Sequence, residues 1–291
     1  TPNNDTALSY SSITFNAGGF ALSGNPVTLT LGASAISNTS GSNTINNNIT
    51  FSATAPTIAA SVSTTLTIGG TVANGGFLIT ANTAGTLNLN GVISGAGGVT
   101  KNGAGTLTLS GANTYSGATT LNAATLNINH ATALGTGTFT ITGGTIDNTS
   151  GGAITLTNNN AQNWNGDFTF TGTNSLNLGT GTVALSATRT VTVSASTLTV
   201  GGIISGGFGL TKAGTGTLTL SGANTYTGLT TVSAGVLNIQ NASALGDTGT
   251  GTTVASGAAL EIQGGIAVGA EPLTLTGTGV SSGGALRNIS G

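Results

Sequence analysis

The sequence contains no cysteine and no methionine, and charged residues make up only 3% of its 291 positions. A soluble globular domain usually has roughly 25% charged residues. Without cysteine the fold can have no disulfide bond and no metal site with thiolate ligands. The four lysine and arginine residues are too few to neutralise a phosphate backbone, so we exclude nucleic-acid binding.

Long apolar runs are also missing from the sequence. No stretch of 18 or more apolar residues occurs, so we expect no membrane-spanning segment. No basic segment followed by an apolar one opens the chain, and we therefore expect that any secretion signal has been removed or was never part of this sequence. The chain is 37% hydrophobic with a net charge of −2, a composition that predicts a folded rather than a disordered protein.

Apolar residues instead alternate with threonine and asparagine in short bursts. Examples are Leu107-Thr108-Leu109, Phe168-Thr169-Phe170 and Leu218-Thr219-Leu220. Period-two alternation is typical of β-strands that are buried on one face. The 50 glycines, about 17% of the chain against a usual 7%, lie with serine and asparagine between the bursts and mark turns. The sequence therefore predicts an all-β fold.

One segment of the chain occurs twice. Residues 99–128 and 210–239 are identical at 21 of 30 positions, in an alignment that pairs Lys101 with Lys212. Such a repeat fits tandem β-sandwiches of about 100 residues each, or a solenoid of stacked coils. We favour the solenoid, because the chain has neither a linker nor a charged surface, and polar ladders of threonine and asparagine can cover stacked coils. We expect residues 1–291 to form one continuous, elongated domain.

The repeated segment resembles a known bacterial family. Residues 210–228, LTKAGTGTLTLSGANTYTG, and the copy at 99–126 resemble the autotransporter-associated β-strand repeat of passenger domains. Residues 13–51, 139–178 and 254–289 resemble the linking sequence of such proteins. The resemblance implies a right-handed parallel β-helix in a protein that is secreted or displayed on the surface of Gram-negative or related bacteria.

With roughly 20 to 25 residues per coil, such a β-helix would have about 12 to 14 coils and a length of roughly 60 Å. We expect it to be an extracellular stalk, fibre or filament-forming scaffold without catalysis, cofactor or metal. The alternative is an adhesin or carbohydrate-binding passenger that contacts surface glycans through the loop Asn158–Trp164. An enzyme of the polysaccharide-lyase type is disfavoured by the scarcity of acidic and basic residues.

The repeat contains six residues that we expect to have structural roles: Lys101, Asn113, Tyr115, Lys212, Asn224 and Tyr226. The two lysines precede Gly-x-Gly turns, and we expect each side chain to extend along a coil edge with its charge in solvent. A contact with a ligand is the alternative role. The two tyrosines are expected to pack over a corner of the coil with their hydroxyl groups outward.

Few residues could support catalysis. His130 is the single imidazole, and we expect it to be a hydrogen-bonded turn residue rather than a general base. Asp147 and Asp167 are about one coil apart along the chain and could stack on one face, as paired acids do in polysaccharide-cleaving enzymes. Their nearest basic residue is Arg189, and the chain has no calcium-binding repeat of acidic residues. We therefore expect no active site there.

Two further hypotheses concern the surface. Outward threonine rows, including the pairs Thr106/Thr108 and Thr217/Thr219, could order water and bind ice, although threonine also suits exposed strand positions in general. Neither Thr1–Tyr10 nor Leu286–Gly291 has a polar capping sequence. We therefore expect that the natural protein continues on both sides, or that subunits stack end to end into a filament.

Overall fold

The computed structural model describes residues 8–53 and 55–290. Residues 1–7, which form most of the N-terminal segment without a polar capping sequence, lie outside the described residues. The chain divides into two compact units, Thr1–Phe139 and Thr140–Gly291, which we call unit 1 and unit 2. The described residues form β-strands with no α-helix, and one short 3-10 helix spans Val280–Ser282. The prediction of an all-β fold is confirmed.

Unit 1 consists of three parallel sheets, whose strand orders are β1-β4-β7-β10-β13, β2-β5-β8-β11-β14-β16 and β3-β6-β9-β12-β15-β17. Each strand pairs with the strand about one coil further along the chain, which is the topology of a parallel β-solenoid. The strands are β1 (Leu8–Tyr10), β2 (Ile13–Phe15), β3 (Ala21–Leu22), β4 (Val27–Leu29), β5 (Ile36–Asn38), β6 (Ser42–Ile45), β7 (Ile49–Phe51), β8 (Thr57–Ala60), β9 (Thr65–Ile68), β10 (Val72–Ala73), β11 (Ile79–Asn82), β12 (Thr86–Leu89), β13 (Ile93–Ser94), β14 (Val99–Asn102), β15 (Thr106–Leu109), β16 (Thr119–Leu121) and β17 (Thr125–Ile128). Strand β18 (Phe139–Ile141) includes the boundary between the units.

Unit 2 has the same architecture. Its parallel strand orders are β19-β22-β25-β28-β30-β32-β34, β20-β23-β26-β29-β31-β33-β35 and β21-β24-β27. The strands are β19 (Thr145–Asp147), β20 (Ile154–Thr155), β21 (Gln162–Trp164), β22 (Phe168–Phe170), β23 (Leu176–Asn177), β24 (Val183–Leu185), β25 (Arg189–Val193), β26 (Thr197–Val200), β27 (Ile204–Ser205), β28 (Leu210–Ala213), β29 (Thr217–Leu220), β30 (Thr230–Val232), β31 (Gly235–Ile239), β32 (Thr252–Val254), β33 (Ala258–Gln263), β34 (Leu273–Leu275) and β35 (Leu286–Ser290).

The core of each unit is a set of apolar ladders that run from coil to coil. In unit 1 the side chains of Leu66, Leu87, Leu107 and Leu126 stack in register and are fully buried. In unit 2 an equivalent ladder contains Leu198, Leu218, Leu237 and Leu260. Because alternate residues of a strand point to opposite faces, the threonines and asparagines between these leucines point away from the core. Three of them, Thr108, Thr219 and Asn238, are nevertheless only 8%, 6% and 3% exposed. The alternation in the sequence thus has the structural meaning that we predicted for it.

Glycine allows the coils to approach each other closely at the turns. Gly70, Gly91 and Gly111 occupy successive coils of unit 1. A Cβ atom on Gly91 would lie 1.9 Å from the carbonyl oxygen of Gly70, and one on Gly111 would lie 2.2 Å from that of Gly91. Real Cβ atoms do not come this close to backbone, so no other residue fits this stack. Close turns of this kind account for part of the high glycine content.

Candidate functional site: the clamps of the two repeats

Each repeat contains a buried asparagine that connects three successive coils. The Oδ1 atom of Asn113 accepts a hydrogen bond from the backbone N–H of Ile93, 20 residues earlier, at 2.8 Å. Its Nδ2 atom donates to the carbonyl oxygen of Ala133, 20 residues later, at 2.7 Å. Both partners are backbone groups of neighbouring coils, so the amide joins the coil before it and the coil after it to its own.

The second repeat reproduces this arrangement. Asn224 accepts from the N–H of Ile204 at 2.8 Å and donates to the carbonyl oxygen of Ala244 at 2.7 Å. Asn113 and Asn224 are 1% and 3% exposed. An unpaired buried backbone group costs about 1–3 kcal/mol, and each of these side chains satisfies two of them.

A tyrosine and a threonine form the second part of each arrangement. The hydroxyl groups of Tyr115 and Thr119 are 2.5 Å apart, and the Thr119 hydroxyl donates to the carbonyl oxygen of Leu134 at 2.9 Å. Since Thr119 uses its single proton there, it must accept from Tyr115. Tyr226 and Thr230 repeat the pair at 2.6 Å, with Leu245 as the acceptor. The prediction that the tyrosine hydroxyls point outward is wrong.

These tyrosines are fully buried. Burial raises the pKa of both Tyr115 and Tyr226 above the ordinary value for a phenol, and the hydrogen bond with the neighbouring threonine partly opposes the shift. A smaller contribution from the charge of Glu271 also raises the pKa of Tyr226. The tyrosines therefore remain neutral hydrogen-bond donors over the physiological pH range.

The two repeat lysines point into the coil rather than along its edge. Lys101 is 1% exposed, and its Nζ atom donates to the carbonyl oxygens of Asn102 and Gly103 at 2.6 and 2.9 Å. Lys212, also 1% exposed, donates to the carbonyl oxygens of Ala213 and Gly214 at 2.9 and 2.8 Å. The predicted extension of these side chains into solvent is therefore wrong.

Lys212 also reaches the next coil, because its Nζ atom donates to the carbonyl oxygen of Ala234, 22 residues later, at 3.1 Å. Neither of the ion pairs found among the described residues includes a repeat lysine. Burial lowers the pKa of Lys101 and of Lys212 from 10.5 to about 8. Each ammonium group thus binds the carbonyl oxygens of a turn from the inside.

We refer to each set as a clamp. Clamp 1 contains Lys101, Asn113, Tyr115 and Thr119; clamp 2 contains Lys212, Asn224, Tyr226 and Thr230. Sequence analysis identified six of these eight residues as structural and missed the two threonines. It also missed the importance of the Ala-Leu-Gly segments at 133–135 and 244–246, which supply the acceptor carbonyls in the following coil. The two Ala-Leu-Gly segments follow their repeats at the same spacing, and this recurrence could have identified them in the sequence.

The glycine of each Ala-Leu-Gly segment fits against the clamp tyrosine. A Cβ atom on Gly135 would lie 2.4 Å from the carbonyl oxygen of Tyr115 and 2.7 Å from its ring. One on Gly246 would lie 2.4 Å from the carbonyl oxygen of Tyr226 and 2.9 Å from its ring. Both glycines also have positive φ, +62° and +83°, a conformation that other residues rarely adopt.

The acidic residues and the histidine do not form a site together. Asp147 is buried, and its carboxylate accepts hydrogen bonds from the backbone N–H and the hydroxyl of Thr173. Asp167 is exposed and lies 3.9 Å from the guanidinium of Arg189. Because Thr145 pairs with Thr169 in the sheet, Asp147 and Asp167 are four positions out of register. His130 accepts a hydrogen bond from the backbone N–H of Thr132 within its own turn.

The aromatic residue of the loop that we expected to contact glycans is part of the core. Trp164 is fully buried, donates from Nε1 to Oε1 of Gln162 at 3.1 Å, and packs edge-on against Phe168. It cannot stack on a sugar, so the prediction for Asn158–Trp164 is wrong in that respect. Among the described residues no group of three histidine or acidic side chains could hold a metal ion.

The threonine rows follow the paired strands from coil to coil. In unit 1, Thr65, Thr86, Thr106 and Thr125 form one row, and Thr67, Asn88, Thr108 and Asn127 form the next. In unit 2 the row that contains Thr217 continues with Val236, and the row that contains Thr219 continues with Asn238 and Glu261. The rows are regular in unit 1 and interrupted in unit 2. Ice binding stays a prediction, as does the stacking of copies end to end.

Residues 99–128 and 210–239, the segments that contain all four residues of each clamp, match the Passenger-associated-transport-repeat family. A curated relative, the Adhesin BmaC autotransporter of Brucella suis biovar 1 (strain 1330), is 36% identical over 89 residues. The aligned segment covers 31% of this chain and 2% of that adhesin. No solved structure matches the chain.

Two segments of the chain, one in each unit, thus match the passenger-associated transport repeat, and the resemblance to autotransporter passenger sequences is confirmed. The described residues include no helix of the length and hydrophobicity that crossing a membrane requires.

Proposed function

We propose that this chain is a mechanical scaffold segment of a bacterial passenger protein that is secreted or displayed at the cell surface. The observation that carries the proposal is the clamp: in both units a buried asparagine bonds to backbone groups of the coil before and the coil after it. Coils that are joined by their own sheet hydrogen bonds and also by interior side chains resist separation along the stacking direction.

The surface supports the same role. The chain has ten charged residues among 291, and two of these, Lys101 and Lys212, have their charge inside. The described acidic residues lie in separate parts of the fold, and each accepts a hydrogen bond from a neighbouring group, which favours a non-catalytic role.

Single-molecule force spectroscopy on the full chain tests the proposal. We expect unfolding in a few large steps, and we expect Asn113→Ala and Asn224→Ala each to lower the unfolding force of one step. Asn165→Ala is the matched control, because Asn165 is exposed. Equal unfolding forces in the wild type, both clamp variants and the control would contradict the scaffold role of the clamps.

The second candidate function is adhesion, and the similarity to an autotransporter adhesin favours it. In this role the solenoid would both extend from the cell and contact a host surface. Beads coated with the full chain should bind to host epithelial cells more strongly than beads coated with an unrelated protein of similar size. Equal binding of the two kinds of bead would contradict adhesion by this segment.

A further inference from the structure

Asn102 and Gly103, which follow the clamp lysine Lys101 in the chain, form an Asn-Gly pair at the end of a strand. Asn102 is the last residue of strand β14, and Gly103 begins the turn with a φ of +76°. An asparagine loses its side-chain amide when the backbone nitrogen of the next residue attacks its Cγ atom. Glycine hinders this attack least, because it has no side chain. The pair therefore contains both reacting groups, and the neighbouring side chains determine how readily they react.

The ammonium group of Lys101 activates the attacking nitrogen. Its Nζ atom donates to the carbonyl oxygen of Asn102 at 2.6 Å, and this carbonyl belongs to the same peptide unit as the nitrogen of Gly103. A second bond, to the carbonyl oxygen of Gly103 at 2.9 Å, holds the ammonium group in place. A positive charge on a peptide oxygen stabilises the peptide anion, so the N–H of Gly103 loses its proton more easily.

A second side chain activates the carbon that is attacked. The Nδ2 atom of Asn122, in the following coil, donates to Oδ1 of Asn102 at 2.7 Å. Attack on Cγ places negative charge on this oxygen, and a donor that is already in position stabilises the charge. The attacking nitrogen is thus activated from inside the coil by Lys101, which is buried, and the carbon from the surface by Asn122, which is exposed.

The chain has three further Asn-Gly pairs, which begin at Asn74, Asn90 and Asn165. Asn74 is fully buried, and its Nδ2 atom, which would have to leave as ammonia, donates to the carbonyl oxygen of Gly97 at 2.8 Å. In the pairs at Asn90 and Asn165 the glycine N–H donates to a carbonyl oxygen of the preceding coil, at 3.3 and 3.0 Å. Attack by either nitrogen would first break that bond. The structure therefore protects these three pairs.

The second repeat keeps the lysine but not the reactive amide. Lys212 donates to the carbonyl oxygens of the next two residues, as Lys101 does. In the alignment of the two repeats, however, Ala213 occupies the position of Asn102. Ser233 occupies the position of Asn122. The clamp therefore does not require an asparagine at either position, and the complete set of reacting and activating groups belongs to unit 1.

We propose that Asn102 is a site of spontaneous modification, at which the folded chain itself promotes conversion of the side-chain amide into a carboxylate. The nitrogen of Gly103 gives its proton to water and forms a bond with Cγ of Asn102. The bond between Cγ and Nδ2 then breaks, and Nδ2 takes a proton from water and leaves as ammonia. Water adds to either carbonyl carbon of the resulting cyclic imide and opens it to aspartate or isoaspartate. Asn102 is half-buried, so water reaches the imide.

The product places a negative charge on the residue next to Lys101. Neither of the ion pairs found among the described residues includes this lysine. The modification thus supplies an acidic group beside the ammonium of clamp 1, whereas clamp 2, which has Ala213 at the equivalent position, stays as it was synthesised. The two repeats therefore become more different as the protein ages.

The test incubates the full chain at neutral pH for several weeks. Pepsin digestion at acid pH, followed by mass spectrometry, measures the conversion at each of the four Asn-Gly pairs. In the folded chain we expect Asn102 to react about tenfold faster than Asn165. In urea the two rates should become similar, because the dipeptide is the same. A rate at Asn102 in the folded chain that is equal to or below that at Asn165 overturns the proposal.

Variants separate the two activating groups. Lys101→Met removes the ammonium group and should slow the reaction at Asn102 about tenfold. Lys212→Met is the matched control and should leave that rate unchanged. Asn122→Ser introduces the side chain of the second repeat at an exposed position, where the fold tolerates it, and should slow the reaction several-fold. A thermal melt verifies that each variant is folded. An unchanged rate at Asn102 in both Lys101→Met and Asn122→Ser overturns the proposal.

Discussion

The Oδ1 atom of Asn224 accepts a hydrogen bond from the backbone N–H of Ile204 at 2.8 Å, although the two residues are 20 positions apart in the chain. The Nδ2 atom of the same side chain donates a hydrogen bond to the carbonyl oxygen of Ala244 in the following coil. A single buried amide thus replaces the sheet hydrogen bonds that these two backbone groups lack at the corner of the coil.

The first prediction concerns this amide. Asn224→Ala leaves one backbone donor and one acceptor buried without a partner, and we expect the free energy of unfolding to fall by about 2–4 kcal/mol. Urea denaturation monitored by circular dichroism measures the change. Asn165→Ala should change the stability by less than about 0.5 kcal/mol. A similar loss in both variants would show that the clamp contributes nothing specific.

The second prediction concerns the pair of hydroxyl groups. Tyr226→Phe removes one hydrogen bond but leaves the bond from Thr230 to Leu245 intact, so we expect a loss of about 1 kcal/mol. Thr230→Val leaves both Tyr226 and the carbonyl oxygen of Leu245 unpaired, and we expect about 2 kcal/mol or more. A double-mutant cycle should show coupling between the two positions. Strict additivity would mean that the hydroxyls do not interact in solution.

The third prediction concerns the pH dependence of stability. The pKa of Lys101 and Lys212 is about 8 in the folded state, against 10.5 for a lysine in water. Between these values the unfolded chain binds more protons than the folded one, so stability should rise from pH 8 towards pH 10. The gain is at most about 3 kcal/mol for each lysine.

Above about pH 10 the trend should reverse. Tyr115 and Tyr226 have raised pKa values in the folded state, so the unfolded chain releases their protons first. Urea denaturation from pH 7 to 11 shows both effects. The double variant Lys101→Met/Lys212→Met should lose the rise and keep the fall. A stability that already decreases between pH 8 and 10 in the wild type would contradict the burial of the lysines.

The fourth prediction compares two glycines with similar backbone conformations. Gly246 and Gly264 have φ values of +83° and +87°, but a Cβ atom would collide with Tyr226 at Gly246 and meet nothing within 4 Å at Gly264. Gly264→Ala should therefore cost about 1–2 kcal/mol from backbone strain alone. Gly246→Ala should cost about 3 kcal/mol or more, because it also displaces the clamp. Thermal unfolding of the two variants measures the difference.

Period-two alternation was sufficient to predict the strands, because the inside of a coil is apolar wherever leucine and isoleucine recur. The choice of a solenoid over tandem sandwiches depended in addition on the repeated segment, the missing linker and the scarcity of charge. The same alternation predicts that Lys101 is buried, because it lies two residues after the buried Val99 in strand β14 and points to the same face. We instead gave priority to the usual exposure of lysine. The carbonyl oxygens that accept from its ammonium group come from a turn, and turn geometry is not visible in an alternation pattern.

The partners of the clamp were beyond prediction for a related reason. Tyr115 bonds to Thr119, which in turn bonds to Leu134 in the following coil. Consecutive coils differ in length, because the stacked residues Leu66, Leu87, Leu107 and Leu126 are 21, 20 and 19 positions apart. A side chain that bonds across coils therefore has no fixed sequence offset from its partner. Two copies of the same repeat were needed to make the spacing visible.

Each clamp draws its bonding partners from the coils directly before and after its asparagine, within residues 93–134 for clamp 1 and 204–245 for clamp 2. Genetic recombination between the two copies, within the stretch that they share, would delete or duplicate one full repeat period and still leave every hybrid clamp with a complete set of donors and acceptors. The length of such a protein can therefore change during evolution in whole modules, without any intermediate that has a broken coil.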